Sequence, residues 1–359
     1  MLEGFFPVIT PDKKEIIFKH FKLSQIMTSL FYLRTHEKRG KIHETFPYCQ
    51  KIFLDSGIFQ MYKRNLNDRF ITEYREDLIN LYNKLQPDFA SALDIPFTIW
   101  DRKEAKMQKT RWSLENYEYV SGQVDDSIVL VPGICAFSAK SARFVTDKIK
   151  EKIGFPEYLG IGGQVPLLKT AEKSPNLALL TMTVVSTFRK EFPKAKIHVF
   201  GAGGHRWYML LRLIGANSAD YAGYLFSTGM GEIILPGIRP KYILNEVVLQ
   251  TRYGKKKYRR DPQKVFTEEE LEEFYCCHCP ACKQNSPVLL ELNKNYRLLH
   301  NLFVVNSEAQ IVENYCNKED LKGLQEHIQE RLLNKDSGIK LLAKKTLQMA
   351  SEKLSCLLA

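Results

Sequence analysis

The sequence of 359 residues lacks any run of eighteen apolar residues, so it contains no candidate transmembrane helix. It also lacks low-complexity tracts and internal repeats of solenoid length, which argues against a repeat protein. The first residues, MLEGFFPVITPDKK, begin acidic and reach prolines early, unlike a signal peptide, and we therefore expect a cytoplasmic protein. What is present, 44% hydrophobic and 26% charged residues, is a globular composition sufficient for a large core.

The charge is unbalanced. A formal net charge of +11 favours a polyanionic partner, because phosphate neutralisation supplies most non-specific affinity for nucleic acids. The segment 252–264, RYGKKKYRRDPQK, holds seven of the cations together with two tyrosines and one aspartate. On this pattern alone a nucleic-acid contact and a solvated surface loop are equally good interpretations. The cations that we assign to a nucleic-acid backbone are Lys255, Lys256, Lys257, Arg259 and Arg260.

Four of the eight cysteines fall within seven residues, which in a cytoplasmic protein indicates metal binding rather than disulfides. The C-x-C-x-x-C pattern consists of Cys277, Cys279 and Cys282. Its thiolates can hold one tetrahedral Zn²⁺, and His300, in the apolar segment YRLLHNLF, is the best fourth ligand. His278 lies inside the knuckle and would strain it, whereas Cys276 is a possible substitute. We predict a structural zinc, with no open position for catalysis; reduced cysteines without metal are the alternative.

Short apolar runs alternate with longer amphipathic stretches. The runs are KIFLD (51–55), DFASALD (88–94), SIVLVPG (127–133), YLGIGG (158–163), KIHVFGAGG (196–204) and SADYAGY (218–224). Helical patterns follow at about 67–85, 103–120, 138–153, 177–192 and 207–214, and Ser138 or Ser141 can cap the third of them. The alternation indicates parallel βαβ units. Because the first and last units of a barrel are the hardest to detect, six units favour an α/β fold of the (β/α)8 TIM-barrel type over a doubly wound sheet.

The alternation stops near residue 240. We predict three segments: a catalytic barrel over 1–240, a basic and zinc-binding subdomain packed on it over 241–315, and a C-terminal helical extension over 316–359. Two helical patterns, at about 318–333 and 338–354, make up the extension.

Polar residues and glycines stand at the C-terminal ends of the strands, the edge that carries catalysis in a barrel. They are Asp55, Asp94, Gly133, Gly163, Gly201 and Asp220. Each aspartate also has a purely structural interpretation. Asp55 or Asp94 can cap a helix, and Asp220 can bond the next loop.

Six stretches in register resemble the tRNA-guanine transglycosylase family. LDSGIFQ resembles its D-S-G-G-F/Y-Q motif, ALDIP its aspartate-bearing strand end, and YLGIGGQVP its I-G-G-L-A-V-G-E segment. HVFGAG resembles L-M-G-V-G, ADYAGY falls where the family has F-D-C-V, and the cysteine and histidine set resembles its zinc site. The resemblance covers about residues 51–301. It implies a TIM barrel that exchanges a base in a nucleic acid for a free base, and a possible homodimer.

The resemblance also assigns roles. Asp220 matches the nucleophile that attacks C1′ and holds a covalent intermediate, as retention of configuration requires. Asp55 matches the residue that transfers protons at the departing and incoming base, and a partly closed pocket would raise its pKa. The residues assigned to the base are Asp94, Ser56, Phe59, Gly133, Gly162, Gly163 and Phe200. Asp94 would accept hydrogen bonds from the guanine edge, and the two phenylalanines would cover its faces unless they are ordinary core residues.

Three departures from the family affect the substrate. Pro132 replaces a base-binding glutamine, Ile58 replaces the second glycine of D-S-G-G, and the residues after Asp220 lose a threonine–arginine turn. The last change resembles the DNA 7-deazaguanine transglycosylases of phages and bacterial modification islands. We therefore favour DNA over tRNA, with a free 7-deazaguanine as the incoming base, in the cytoplasm of a host if a phage encodes the protein. The target nucleotide must be flipped or single-stranded, and Arg206 and Trp207 are further candidates for its contacts.

Two other classes of function compete. A barrel enzyme acting on a free nucleoside would not need seven clustered cations. A catalytically inactive nucleic-acid-binding homologue would have no chemical reason to keep all three aspartates.

Overall fold

The computed structural model describes residues 2–33, 40–58, 68–98, 100–251, 254–275, 277–284 and 287–358. The chain divides into two compact units. The first unit comprises Met1–Gly203, Trp207–Tyr221 and Leu341–Ala359, and the second comprises Gly204–Arg206 and Ala222–Lys340. The boundaries of these units differ from the boundaries near 240 and 315 that the sequence suggested. The three segments proposed from sequence stay a prediction. None of the helices in the described ranges has the length and apolar character needed to span a membrane.

The first unit is an α/β structure in which every strand pair is parallel, as predicted. Its strands are β1 (Gly4–Pro7), β2 (Gln25–Ser29), β3 (Lys51–Asp55), β4 (Phe89–Ser91), β5 (Val129–Val131), β6 (Gly133–Cys135), β7 (Tyr158–Gly162), β8 (Lys196–Val199) and β9 (Ser218–Tyr221). They form a five-stranded sheet, β1-β9-β8-β7-β6, and a four-stranded sheet, β2-β3-β4-β5. All six predicted strands are present, and two further strands precede them.

Two places bring the edges of these sheets together. Pro132 alone separates β5 from β6, so one run of chain pairs with β4 through its first half and with β7 through its second. Proline has no N–H to donate, but its carbonyl accepts from the Gly160 N–H at 2.8 Å. At the other edges, Val8, directly after β1, forms a parallel bridge with Met27 of β2. The Ile9 N–H donates to the Met27 carbonyl at 2.8 Å.

The helices of the first unit largely follow the predicted pattern. They are α1 (Lys14–Phe18), α2 (Leu30–Leu33), α3 (Ile42–Thr45), α4 (Asp68–Leu85), α5 (Lys103–Ser121), α6 (Ala139–Lys152), α7 (Val165–Leu168), α8 (Pro175–Glu191) and α9 (His205–Leu213), the last of which begins in the second unit. Ser138 caps α6 as expected, in a capping box with Ser141. The central residues of β3, β7 and β8 are all buried, which is typical of parallel strands covered on both faces.

The second unit is mainly helical. It contains α10 (Gly223–Met230), the strands β10 (Glu246–Thr251) and β11 (Gly254–Arg259), α11 (Glu268–Tyr275), α12 (Pro287–Leu292), α13 (Lys294–Asn317) and α14 (Leu321–Ile328), followed by a π-helical turn, Gln329–Leu333. The final helix, α15 (Lys340–Leu358), belongs almost wholly to the first unit. The basic segment is not a simple loop, because β10 and β11 pair as an antiparallel hairpin.

Candidate active site and metal centre

Asp55 ends β3 and is held by a tight turn. Its Oδ2 accepts from the Gly57 N–H at 3.0 Å, and the hydroxyls of Ser29 and Ser91 also hydrogen-bond its carboxylate. Gly57 has a φ of +76°, and a Cβ there would lie 2.9 Å from the Phe31 nitrogen, so a side chain at this position would be strained and crowded. Burial, reinforced by the charge of Asp220, raises the pKa of Asp55 to about 6.

Asp94 follows β4 and lies against two glycines of neighbouring strands. An added Cβ at Gly133 would be 3.0 Å from the Asp94 Cβ, and one at Gly162 would be 3.3 Å from Asp94 Oδ2. The carboxylate is thus accommodated because neither strand has a side chain there. Burial, with a contribution from the charge of Asp55, raises the pKa of Asp94 to about 7.

Asp220 lies in β9 and is oriented by two donors. The Gly201 N–H donates to Oδ1 at 2.7 Å, and His198 Nε2 contacts the same oxygen at 3.2 Å. Because an ionised carboxylate can only accept, His198 donates from Nε2, and its Nδ1 accepts from the Ser218 hydroxyl at 2.9 Å. The side chains of Asp220 and His198 are buried, so this orientation is fixed within the first unit.

The three aspartates are electrostatically connected. Asp220 raises the pKa of Asp55, and Asp55 raises the pKa of Asp94. All three stand at or just beyond the carboxyl ends of parallel strands, which meet at one edge. The oriented carboxylate of Asp220 thus acts on Asp55, which in turn acts on Asp94, and the pKa values of these two acids lie near neutral pH.

Phe200 follows β8 and covers part of the same strand that Asp94 contacts. Its ring would be 2.3 Å from a Cβ at Gly160, and it packs edge-on against Phe53 and His198. Gly160 and Gly162 are two residues apart in β7, so their missing side chains face the same side. An aromatic ring and a carboxylate thus lie over alternate residues on one glycine-lined strand face.

A separate cluster in the second unit can hold a metal ion. The ligand atoms of Cys277, Cys279, Cys282 and His300 all lie within 4.8 Å of one another. His300 Nδ1 is 3.6, 3.6 and 3.2 Å from the three sulfurs in that order. A tetrahedral Zn²⁺ with ordinary bond lengths would separate sulfur and nitrogen by about 3.5 Å, so the spacing fits such an ion.

The histidine of this cluster is held in the tautomer that metal binding needs. His300 lies in α13, and its Nε2 is 2.9 Å from the Ile234 carbonyl, to which it donates. This bond leaves Nδ1 unprotonated and facing the sulfurs. The Phe274 ring lies 5.3 Å from the imidazole, and Cys279 is fully buried.

Comparison with known proteins finds relatives of one kind. No family model matches the chain. The tRNA-guanine(15) transglycosylases of Sulfolobus acidocaldarius, Methanococcus aeolicus and Pyrococcus abyssi are each 24% identical to it, over 91%, 86% and 89% of the chain. The chain is therefore a homologue of tRNA-guanine transglycosylases. It spans 61%, 45% and 50% of the length of these three relatives.

This relationship confirms the resemblance found in the motifs. The relatives are named for action on tRNA, so the predicted preference for DNA has no support here and the alternative, tRNA, fits better. The homodimer stays a prediction.

The remaining base-binding candidates of this transglycosylase homologue occupy varied surroundings. Ser56 is fully buried, with its N–H donating to the Ser91 hydroxyl at 2.8 Å. Gly163 has a φ of +75° and lies against the Phe137 ring. Ile58, directly after the turn at Gly57, is buried. Phe59 lies outside the described residues, so its proposed stacking role stays a prediction.

Sequence reasoning missed three polar residues that support the homologue's site. His198 orients Asp220; its only sequence signal was a polar residue in a buried strand. The hydroxyl of Tyr82 donates to the Ser91 carbonyl at 2.7 Å, and burial, with contributions from the charges of Asp55 and Asp94, raises the pKa of this phenol. Gln164 is fully buried, and its Nε2 donates to the Ala136 and Gly162 carbonyls at 2.7 and 2.8 Å, which fixes the end of β7.

The cationic residues proposed to contact nucleic acid differ in exposure. Lys255, Lys256 and Lys257 lie in β11, and their side chains are outside what the structure describes. Arg259 is exposed, whereas Arg260 stacks 3.7 Å above the Tyr242 ring and is half-buried. Arg206 donates to the Ser337 carbonyl, and Trp207 is half-buried.

Proposed function

We propose that the protein exchanges guanine in a nucleic acid for a 7-deazaguanine base through a covalent aspartyl intermediate. The observation that carries the proposal is the row of three coupled acids, of which one is oriented and two have pKa values of about 6 and 7. The names of the homologues support the same reaction class, base exchange by a glycosyltransferase.

Each acid has one task in this reaction. Both hydrogen bonds to Asp220 fall on Oδ1, so Oδ2 is the atom assigned to attack C1′. As the bond from C1′ to guanine N9 breaks, protonated Asp55 gives its proton to the leaving base. Asp55 then takes the N9 proton of the incoming base, whose N9 attacks C1′ and releases Asp220.

Asp94 is assigned to recognition of the base. Its carboxylate would accept from the N1–H and the exocyclic amine of a guanine-like edge. Phe200 would contact one face of the same ring. In place of the amide that other members carry before Gly133, the chain has Pro132, so recognition would depend more heavily on Asp94.

We further infer that the nine strand segments of the first unit close into an eight-stranded barrel. The uninterrupted run through Pro132 would join the sheets at one seam, and the Val8–Met27 bridge would join them at the other. Counting β5 and β6 as one strand then gives the (β/α)8 number.

For the polymer we propose tRNA, because each of the named relatives acts on tRNA. DNA is kept as the second candidate, since the residues after Asp220 form α10 without the family's threonine–arginine turn. For the metal we propose structural Zn²⁺, since three thiolates and one imidazole at tetrahedral spacing leave no position for substrate.

Labelled guanine tests both the reaction and the polymer. The protein is incubated with the label and with unmodified tRNA or guanine-containing DNA, and we expect incorporation into tRNA. Asp220→Asn should bind the same nucleic acid but form no covalent adduct on a denaturing gel, while the exposed control Asp126→Asn forms it normally. A normal adduct with Asp220→Asn would remove its assigned role, and incorporation into DNA alone would select the second polymer.

A further inference from the structure

The loop that follows Asp94 carries a large aromatic side chain in water. Trp100 is 84% exposed, whereas Phe97, three residues earlier, is 5% exposed and packs with Cys135, Phe137 and Leu167. One aromatic residue therefore anchors the loop to the neighbouring strand ends while the other points away from the core. A single exposed apolar side chain is not unusual by itself. The position of Trp100 is what distinguishes it, because its loop follows Asp94 at the carboxyl end of a parallel strand.

The loop is braced, so the exposure of Trp100 is not that of a loose tip. The Thr98 N–H donates to Asp101 Oδ2 at 2.5 Å, and the Trp100 N–H donates to the Thr98 hydroxyl at 3.2 Å. Lys109, one turn and a half into α5, reaches Asp101 at 3.5 Å. The backbone nitrogens of Thr98 and Trp100 are thus held before any ligand arrives, which lowers the entropic cost of binding.

The charges around Trp100 select the partner. Arg102 and Lys103 follow two and three residues later, after Asp101, and are both exposed. An exposed aromatic ring beside exposed cations is the combination that binds single-stranded nucleic acid, in which the ring stacks on a base and the cations contact phosphates. A hydrophobic protein partner would not require these two cations.

We propose that Trp100 stacks on a base that neighbours the exchanged guanine, with Arg102 and Lys103 on the adjoining phosphates. The inference rests on the proposed function, since it places the polynucleotide at the edge where Asp94 recognises the target base. Asp94 and Trp100 are only six residues apart, so one loop would position the target and its neighbour together.

The first test measures binding of a fluorescein-labelled, unmodified tRNA transcript by anisotropy, with no free base present. Trp100→Ala should weaken binding about tenfold, and Trp100→Phe should keep most of the affinity, because either ring can stack. Phe155→Ala is the matched control: Phe155 is 77% exposed but precedes β7 and so stands at the opposite, amino edge. Equal binding by wild type and Trp100→Ala, or an equal loss in Phe155→Ala, would overturn the proposal.

The second test locates the stacked base. Abasic sites are placed one at a time along a single-stranded RNA oligonucleotide with one guanine. We expect one position next to the guanine where the abasic site weakens wild type but not Trp100→Ala; equal losses for both proteins at every position would overturn the proposal. If such a position is found but labelled guanine is never incorporated, the result supports the stacking role of Trp100 and contradicts the proposed reaction. If guanine is incorporated but no such position is found, only the stacking role of Trp100 is contradicted.

Discussion

Replacing Asp94 by asparagine should stabilise the protein, and more so as the pH rises. Folding raises the pKa of this carboxyl from its ordinary 3.8 to about 7, because burial and the charge of Asp55 disfavour its ionised form. The folded protein therefore holds this proton more tightly than the unfolded chain, and the stability contributed by Asp94 is lost as the pH rises from about 4 to about 7. The whole difference corresponds to about 4 kcal/mol, an upper limit for a side chain that water partly reaches.

The change with pH isolates this effect from any altered contacts. Between pH 5 and pH 8 the wild type should lose about 3 kcal/mol of stability relative to Asp94→Asn. The folded protein binds about one proton more than the unfolded chain up to about pH 7, and each pH unit below that value costs about 1.4 kcal/mol. Denaturant unfolding of both proteins across this range measures the difference, with Asp126→Asn as an exposed control that shows no such trend. A difference between wild type and Asp94→Asn that stays constant or shrinks with rising pH would refute the electrostatic reasoning.

Two further substitutions test the supporting structure. His198→Gln should slow adduct formation about tenfold while nucleic-acid affinity persists, because Asp220 loses a charge-assisted hydrogen bond worth about 1.4 kcal/mol; single-turnover kinetics measure it, and an unchanged rate would deny His198 a positioning role. Cys279→Ser should reduce bound zinc from about one per chain towards none and lower Tm, whereas Cys316→Ser, outside the cluster, should change neither. Full zinc retention in Cys279→Ser, measured by elemental analysis, would contradict the assigned ligand set.

Much of the fold follows from local sequence pattern. Apolar runs bounded by glycine and acidic residues predicted the strands from Lys51 to Tyr221, because a strand that is buried on both faces must consist almost wholly of apolar residues. β1 and β2 are as buried as the other strands, but no long amphipathic helix follows either of them. The strand-then-helix pattern that identified the other strands is therefore absent here. The paired hairpin in the basic segment was missed for a related reason, since its charges concealed the strand pattern.

The site was predictable only where a residue's role depends on its own position. The aspartates stand at strand ends, which sequence alone indicates. The role of His198 depends instead on parallel register: Ser218 lies opposite it in β9, and Asp220 follows two residues later on the same side. The raised pKa values of Asp55 and Asp94 likewise depend on burial and on charges brought together from strands 39 or more residues apart.

The coupled acids have a consequence for how a purine enters. At neutral pH the carboxyl of Asp94 is shared between its protonated and ionised forms, so the N–H groups of an arriving base compete with hydronium for the same oxygens. In the proposed reaction, uptake of the base would then release a proton to the buffer. The resulting negative charge on Asp94 would in turn disfavour ionisation of Asp55, its electrostatic neighbour, so that a bound base would favour the protonated form of the proposed leaving-group acid without any movement of the backbone.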